Sequence, residues 1–97
     1  MRRIVYAASF VDDADRIAQY IEAQFGAARA DVFIDDLNRF CELIATQPRL
    51  GKRDHGYDTT LHGVVHDRNW IFFQYDDAEA RFLHIVDGRR NKNSIAF

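Results

Sequence analysis

Residues 61–87 read LHGVVHDRNWIFFQYDDAEARFLHIVD, and this stretch decides the fold. Three runs within it are rich in the aromatic and β-branched residues that favour strands, and these are Leu61 to Val65, Asn69 to Tyr75 and Ala80 to Asp87. The segments between the runs, Asp67-Arg68 and Asp76 to Glu79, are short enough to be hairpin turns. The stretch therefore predicts an antiparallel meander of three strands.

A first amphipathic helix is predicted well upstream of the meander. Its apolar residues recur at helical spacing, namely Ala14, Ile17, Ala18, Ile21 and Phe25. Ser9 and Asp12 have the spacing of a capping pair, and we assign the acidic run Asp12, Asp13 and Asp15 to the start of the helix, where negative charge is favourable. We expect the helix to begin near Ser9 or Phe10 and to stop at Gly26, with that glycine in a left-handed conformation.

A second helix follows after a joint of only three residues, Gly26 to Ala28. One face of it carries the apolar positions Ala30, Phe33, Leu37, Phe40, Cys41 and Ile44, and Pro48 prevents its continuation. So short a joint makes the two helices antiparallel neighbours, and their apolar faces need a sheet to cover them.

The resulting fold class is α+β, in the order β-α-α-β-β-β. A first strand from Arg3 to Ala8 precedes the helices, and its pairing cannot be derived from the sequence. We predict one domain over residues 1–97, in which a helical hairpin at about 9–48 packs on a curved antiparallel sheet at about 61–87. A basic tail, residues 88–97, follows the sheet.

Composition excludes several classes of protein. A single cysteine among 97 residues allows no internal disulfide, and no apolar run reaches the roughly 20 residues that cross a bilayer, so we expect a cytoplasmic location without membrane contact. The net charge of -2 argues against nucleic-acid binding by bulk electrostatics, and we expect no sequence-specific DNA binding. The tail contains Arg89, Arg90 and Lys92 without an acid, which indicates either a contact site or a solvated terminus.

Several fragments along the chain together carry a family resemblance. They are Tyr20-Ile21, Phe25-Gly26, Pro48 with Gly51, Gly63, the strand Ile71-Phe72-Phe73, and the close His84-Ile85-Val86-Asp87-Gly88-Arg89-Arg90. In this order and spacing the chain resembles the ParE branch of the ParE/RelE toxin superfamily. Phe73 departs from the usual Tyr of that branch, and Asp87 stands where His is frequent.

The resemblance implies the RelE-like fold and a toxin of a type II toxin-antitoxin system, with a role in plasmid stabilisation. A ParE-like toxin would not be an enzyme. It would inhibit DNA gyrase or topoisomerase IV until an antitoxin, whose disordered segment folds on binding, silences it. The residues that we predict to contact the target or the antitoxin are Arg89, Arg90, Lys92, Trp70 and Phe72.

Two alternatives remain open, a non-toxic relative that binds an antitoxin and a ribosome-dependent mRNA endonuclease of the RelE type. For the nuclease, cations must stabilise the charge that develops on the phosphate, and the candidates are Lys52, Arg53, Arg68 and Arg81. Lys52 and Arg53 are predicted in a loop, and no Tyr or His follows His84 to act as a late acid or base. We predict no cofactor and no metal site. His62 and His66 are interpreted as surface or half-buried residues, and Cys41 as a core thiol.

Overall fold

The computed structural model describes residues 2–53 and 60–87, with the backbone alone for residues 52 and 53. Two helices, α1 (Ala8–Phe25) and α2 (Ala27–Thr46), follow the strand β1 (Arg3–Tyr6). A 3-10 turn at Pro48–Leu50 leads to β2 (Lys52–Arg53), and the meander consists of β3 (His62–His66), β4 (Asn69–Tyr75) and β5 (Glu79–Asp87). The predicted α+β order is confirmed, and each strand of the meander lies within one residue of its predicted bounds at each end.

The sheet has the order β1-β5-β4-β3-β2. β3, β4 and β5 pair antiparallel as predicted, whereas β1 runs parallel to β5, from Arg3 opposite Glu79 to Tyr6 opposite Phe82. The sheet is therefore antiparallel except at this one edge. Because β1 and β2 lie at opposite edges, the helical hairpin that connects them crosses one face of the sheet.

Gly26 alone separates the two helices. Its φ of 97° is positive as predicted, but its ψ of 165° lies outside the left-handed helical region. Its N–H donates to the carbonyl of Glu22, and its own carbonyl accepts from the N–H of Ala30. One glycine thus closes α1 and opens α2, which makes the hairpin tighter than the predicted joint of three residues.

Lys52 and Arg53 form a short strand, so their predicted position in a loop is wrong. They pair antiparallel with Gly63 and His62 of β3. Gly51 explains how the chain comes so close to the sheet, since a Cβ at that position would lie 2.5 Å from Cζ of Phe73. Two residues are too few to show the alternation by which a strand is recognised in a sequence.

The main hydrophobic core lies between the helices and the sheet. Its fully buried large side chains include Ile44, Ile71, Phe73 and Phe82, and the Phe10 ring lies 5.7 Å from that of Phe82. A smaller cluster occupies the opposite face of the sheet, which we call the outer face, and consists of Leu61, Trp70, Phe72, Leu83 and Val86. Among the described residues, no helix combines the length and the apolar composition needed to span a membrane.

Candidate functional site

The side chains of α1 are less buried near the free end of the helical hairpin than near its base. In α1 only Phe10 and Ala14 are buried, and both lie in its first half. Three large apolar side chains further along the hairpin are exposed, namely Tyr20 at 61%, Phe25 at 70% and Val32 at 54%. Exposed aromatic residues of this kind are typical of binding surfaces.

A groove lies between this end of the hairpin and the β3–β4 turn. We call it the tip groove, and its volume is about 120 Å³. It is lined by Ile21, Phe25, Arg29, Val32, Phe33, Asp36 and Asp67. Helical periodicity placed Ile21, Phe25 and Phe33 on apolar faces, but it could not indicate that Phe25 stays exposed while Phe33 packs against the main core.

The outer face contains both aromatic residues that we predicted as contacts. Phe72 is completely buried, while Trp70 is only partly buried and stacks on it with 6.1 Å between ring centroids. Val65, the cross-strand partner of Trp70, is 54% exposed. On this face Trp70 and Val65 therefore offer surface to a partner, and Phe72 supports them from beneath.

Arg68 and Arg81, the two candidate nuclease cations whose side chains the structure describes, lie far apart. Arg68 lies in the β3–β4 turn with φ 71°, and Arg81 lies opposite Gln74 near the other end of β4. Six residues of extended chain separate Arg68 from Gln74, which corresponds to about 20 Å. Lys52 and Arg53 lie on β2, which two strands, β3 and β4, separate from β5.

Arg81 is also neutralised by carboxylates. Its guanidinium forms ion pairs with Glu79 and with Asp76, the latter at 3.7 Å between Nη1 and Oδ2. Hydrogen bonds from Arg3 and then from Arg81 lower the pKa of the Glu79 carboxyl. These carboxylates offset part of the positive potential around Arg81, which weakens its attraction for a phosphate. Arg89, Arg90 and Lys92 lie outside the described residues.

Asp13 has a role that the sequence did not reveal. Beyond the end of β1, the edge of β5 has no neighbouring strand among the described residues, and α1 runs along it instead. Ser9 Oγ donates a hydrogen bond to the carbonyl of Leu83 at 2.6 Å, and Asp13 Oδ2 accepts one from the N–H of Ile85 at 3.0 Å. The two side chains thus continue the hydrogen bonding of the β1–β5 ladder along an otherwise open edge.

Ser9 lies in the first turn of α1 but does not cap it, so the predicted capping pair is wrong. The assignment of Asp12, Asp13 and Asp15 to the helix start is also wrong, because no acidic residue lies in the first turn. Helix α1 begins at Ala8, and no side chain caps it. Asp13 Oδ2 also lies 3.3 Å from Nδ1 of His84. A helix cap and a hydrogen bond to a strand edge both involve a polar residue near the start of a helix. The sequence alone cannot tell these two roles apart, because the difference depends on where the neighbouring strand lies.

The histidines and the cysteine occupy the environments that were predicted for them. His66 is half-buried, with its ring 4.0 Å from that of Phe40 and its Nε2 2.8 Å from Oδ2 of Asp36. His62 packs against the rings of Phe73 and Tyr75. Within residues 2–53 and 60–87, no three His, Cys, Asp or Glu side chains are grouped so that they could hold a metal ion.

Cys41 is completely buried on the inner face of α2. Burial raises the pKa of its thiol to about 12, whereas hydrogen bonding with Tyr6 acts in the opposite direction. The nucleophilic form of cysteine is the thiolate, so a thiol that keeps its proton in this way is inert at neutral pH. The prediction of a core thiol is confirmed.

A helical hairpin packed on one face of a mixed sheet is the arrangement of the RelE-like α+β fold. The chain matches the family described as the ParE toxin of the type II toxin-antitoxin system parDE over residues 4–92. Because the match covers most of its length, the chain belongs to this family. The predicted family and fold class are both confirmed.

Solved structures with the same fold include two of toxin-antitoxin type. The chromosomal ParDE toxin-antitoxin system from P. aeruginosa superposes with a TM-score of 0.76 at 13% identity, covering 90% of this chain and 96% of that one. The E. coli DinJ-YafQ complex superposes with a TM-score of 0.57, also at 13% identity, over 90% of this chain and 93% of that one. Identities this low show the fold alone. No curated protein sequence matches the chain.

Proposed function

We propose that this ParE-family toxin inhibits DNA gyrase or topoisomerase IV and is silenced by a cognate antitoxin. The family match over residues 4–92 carries the proposal. The arrangement of the basic residues supports a binding role over catalysis, because Arg68 and Arg81 are about 20 Å apart along β4. The ion pairs of Arg81 with Glu79 and Asp76 further weaken its candidacy as a catalytic cation.

An antitoxin as the immediate partner is supported by the similar ParDE structure, which is that of a toxin-antitoxin system. On this chain we propose that the antitoxin covers the outer face around Trp70. A partly buried tryptophan beside the exposed Val65 has the character of an interface hot spot. Arg89, Arg90 and Lys92 supply the positive charge that we propose for contact with the antitoxin or with the topoisomerase.

The purified chain should be tested against gyrase and topoisomerase IV with supercoiled plasmid. The proposed function predicts accumulation of cleaved DNA that depends on the chain and on the topoisomerase. A parallel reaction with translating ribosomes should leave mRNA intact. Cuts at codon positions without cleaved plasmid would overturn the proposal in favour of the endonuclease, with Lys52, Arg53, Arg68 and Arg81 as the residues to replace by alanine.

The contribution of the tail should be tested by the double charge reversal Arg89→Glu/Arg90→Glu. We expect this variant to lose most of the topoisomerase inhibition or of the antitoxin affinity. The control is Arg39→Glu/Arg49→Glu, which changes the net charge equally at two exposed positions. Equal behaviour of both variants would remove the tail from the interface.

A further inference from the structure

The exposed aromatic side chain of Phe25 lies at the edge of the tip groove. Phe25 lines the groove, yet it is the most exposed large apolar side chain among the described residues. The volume of about 120 Å³ is similar to that of a cavity that accepts benzene, which is roughly 150 Å³. An aromatic side chain beside a partly apolar groove of about its own size is an arrangement that two copies related by a twofold axis can use reciprocally.

The charges of the groove are also self-complementary. Arg29 lies in the first turn of α2, and Asp36 lies seven residues further along the same helix, which corresponds to about 10 Å. Asp67, in the β3–β4 turn, lines the same groove, and its neighbour His66 binds Asp36, so the two carboxylates lie at one end. Positive charge at the opposite end comes from Arg29.

Two of these charges lack partners among the described residues. In the part of the chain that the structure describes, neither Arg29 nor Asp67 takes part in an ion pair or a side-chain hydrogen bond. Under a twofold rotation, the positive end of one groove meets the negative end of the other. Each copy can thus supply the counter-charge that the other copy needs.

We propose that the tip groove binds a second copy of this chain in an isologous dimer. Phe25 of each copy inserts into the groove of the other and packs beside Val32. Arg29 of each copy pairs with Asp67 of the other, so the interface contains both interactions twice. The dimer requires neither the antitoxin nor the topoisomerase. It goes beyond the proposed function because it assigns an oligomeric state to the free toxin.

Self-association should be measured on the purified full chain by sedimentation equilibrium over a concentration series. The decisive pair of variants is Val32→Asp and Val65→Asp. Both valines are 54% exposed, but only Val32 lines the tip groove. We expect Val32→Asp to raise the dimer dissociation constant by about tenfold or more and Val65→Asp to leave it unchanged. Thermal unfolding of both variants confirms that they are folded.

A charge exchange tests the geometry of the contact. Arg29→Asp places two like-charged pairs in its own homodimer, and so does Asp67→Arg. We expect neither variant to dimerise alone. An equimolar mixture should recover a dimer, because in the mixed dimer one contact joins the two introduced side chains and the other joins the two natural ones. Both contacts then pair a positive with a negative charge.

The outcomes separate this proposal from other occupants of the groove. A chain that stays monomeric at every concentration overturns it, and the groove would then be free for the antitoxin or another protein. A dimer that tolerates both Val32→Asp and the unmixed charge variants also overturns it, since the contact would lie elsewhere. None of these results depends on topoisomerase inhibition, so the proposed function is tested separately.

Discussion

The two ends of the helical hairpin differ sharply although both follow the same apolar periodicity. At the hairpin base, Phe10, Leu37 and Ile44 are almost completely buried against the sheet. At the hairpin tip, Phe25 continues the apolar spacing of α1 yet is 70% exposed, and Tyr20 and Val32, which lie outside the apolar spacing, are exposed as well. Periodicity in a sequence thus defines which face of a helix is apolar, but it does not define how much of that face another layer covers. The less covered part offers surface to a partner, in addition to the outer face.

Removing a large side chain beneath the hairpin base should produce the largest loss of stability. Phe82 has no exposed surface, and its ring lies 5.7 Å from Phe10 and 5.8 Å from Phe73. Phe82→Ala leaves a cavity among these rings and should cost about 3 to 5 kcal/mol in the free energy of unfolding. Urea denaturation measures this value. A loss below about 1 kcal/mol would mean that the base is not tightly packed.

Alkaline pH should weaken the hairpin base through Cys41. Its thiol has an ordinary pKa of 9.0 and a folded pKa of about 12, so the folded state binds this proton more tightly than the unfolded chain. The contribution of the protonated thiol to the free energy of unfolding is fully present below the ordinary pKa. It is lost as pH rises from about 9 towards 12. The difference between the two pKa values corresponds to a loss on the order of 2 to 4 kcal/mol.

Cys41→Ala is the matched variant for this pH effect. Urea unfolding of both proteins at about pH 7 and about pH 10.5, below and within the window of thiol ionisation, gives the change in stability of each. The variant should lose less than the natural chain over this interval, because it has no thiol to ionise on unfolding. Equal losses in both proteins would show that other groups control the loss of stability at alkaline pH. Tyr6 is one of them, because burial raises its pKa to about 12 as well.

Asp13 should matter more than its acidic neighbour in α1. Asp13→Ala leaves the N–H of Ile85 without its acceptor, which should cost about 1 to 3 kcal/mol. Asp12 is exposed and lies one residue earlier in the same helix, beyond the first turn, so Asp12→Ala removes a carboxylate with the same small effect on the helix dipole and should cost no more than about 0.5 kcal/mol. Chemical denaturation of the two variants distinguishes these roles, and equal losses would return Asp13 to the helix-start interpretation.

The sequence predicts this fold well wherever a structural element depends on its own residues. Runs of β-branched and aromatic residues defined β3, β4 and β5, and Gly26 with Pro48 bounded α2. It fails where one element depends on another. Ser9 and Asp13 bind a strand more than 70 residues away, and Lys52-Arg53 pair with β3 because Gly51 admits the ring of Phe73. No local pattern contains such distant partners.

The candidate site was predicted less completely for the same reason. Trp70 and Phe72 were recognised as apolar residues on one face of β4, and the structure places both in the outer-face cluster. The tip groove combines α1, α2 and the β3–β4 turn, so its residues become neighbours only after folding. Exposure is also invisible in the sequence, since Phe25 follows the same spacing as the better covered Ile17 and Ile21.

Truncation at the hairpin tip should have the smallest effect on the stability of the single chain. Phe25 is 70% exposed, so Phe25→Ala removes little buried surface and should change the free energy of unfolding by no more than about 0.5 kcal/mol. The measurement belongs at low micromolar concentration or below, where self-association adds nothing. At higher concentration a dimer stabilises the folded state by mass action, so the Tm of the natural chain should rise with concentration while that of Phe25→Ala stays constant. A loss of several kcal/mol at low concentration would instead mean that Phe25 belongs to the core, and the contrast between base and tip would not hold.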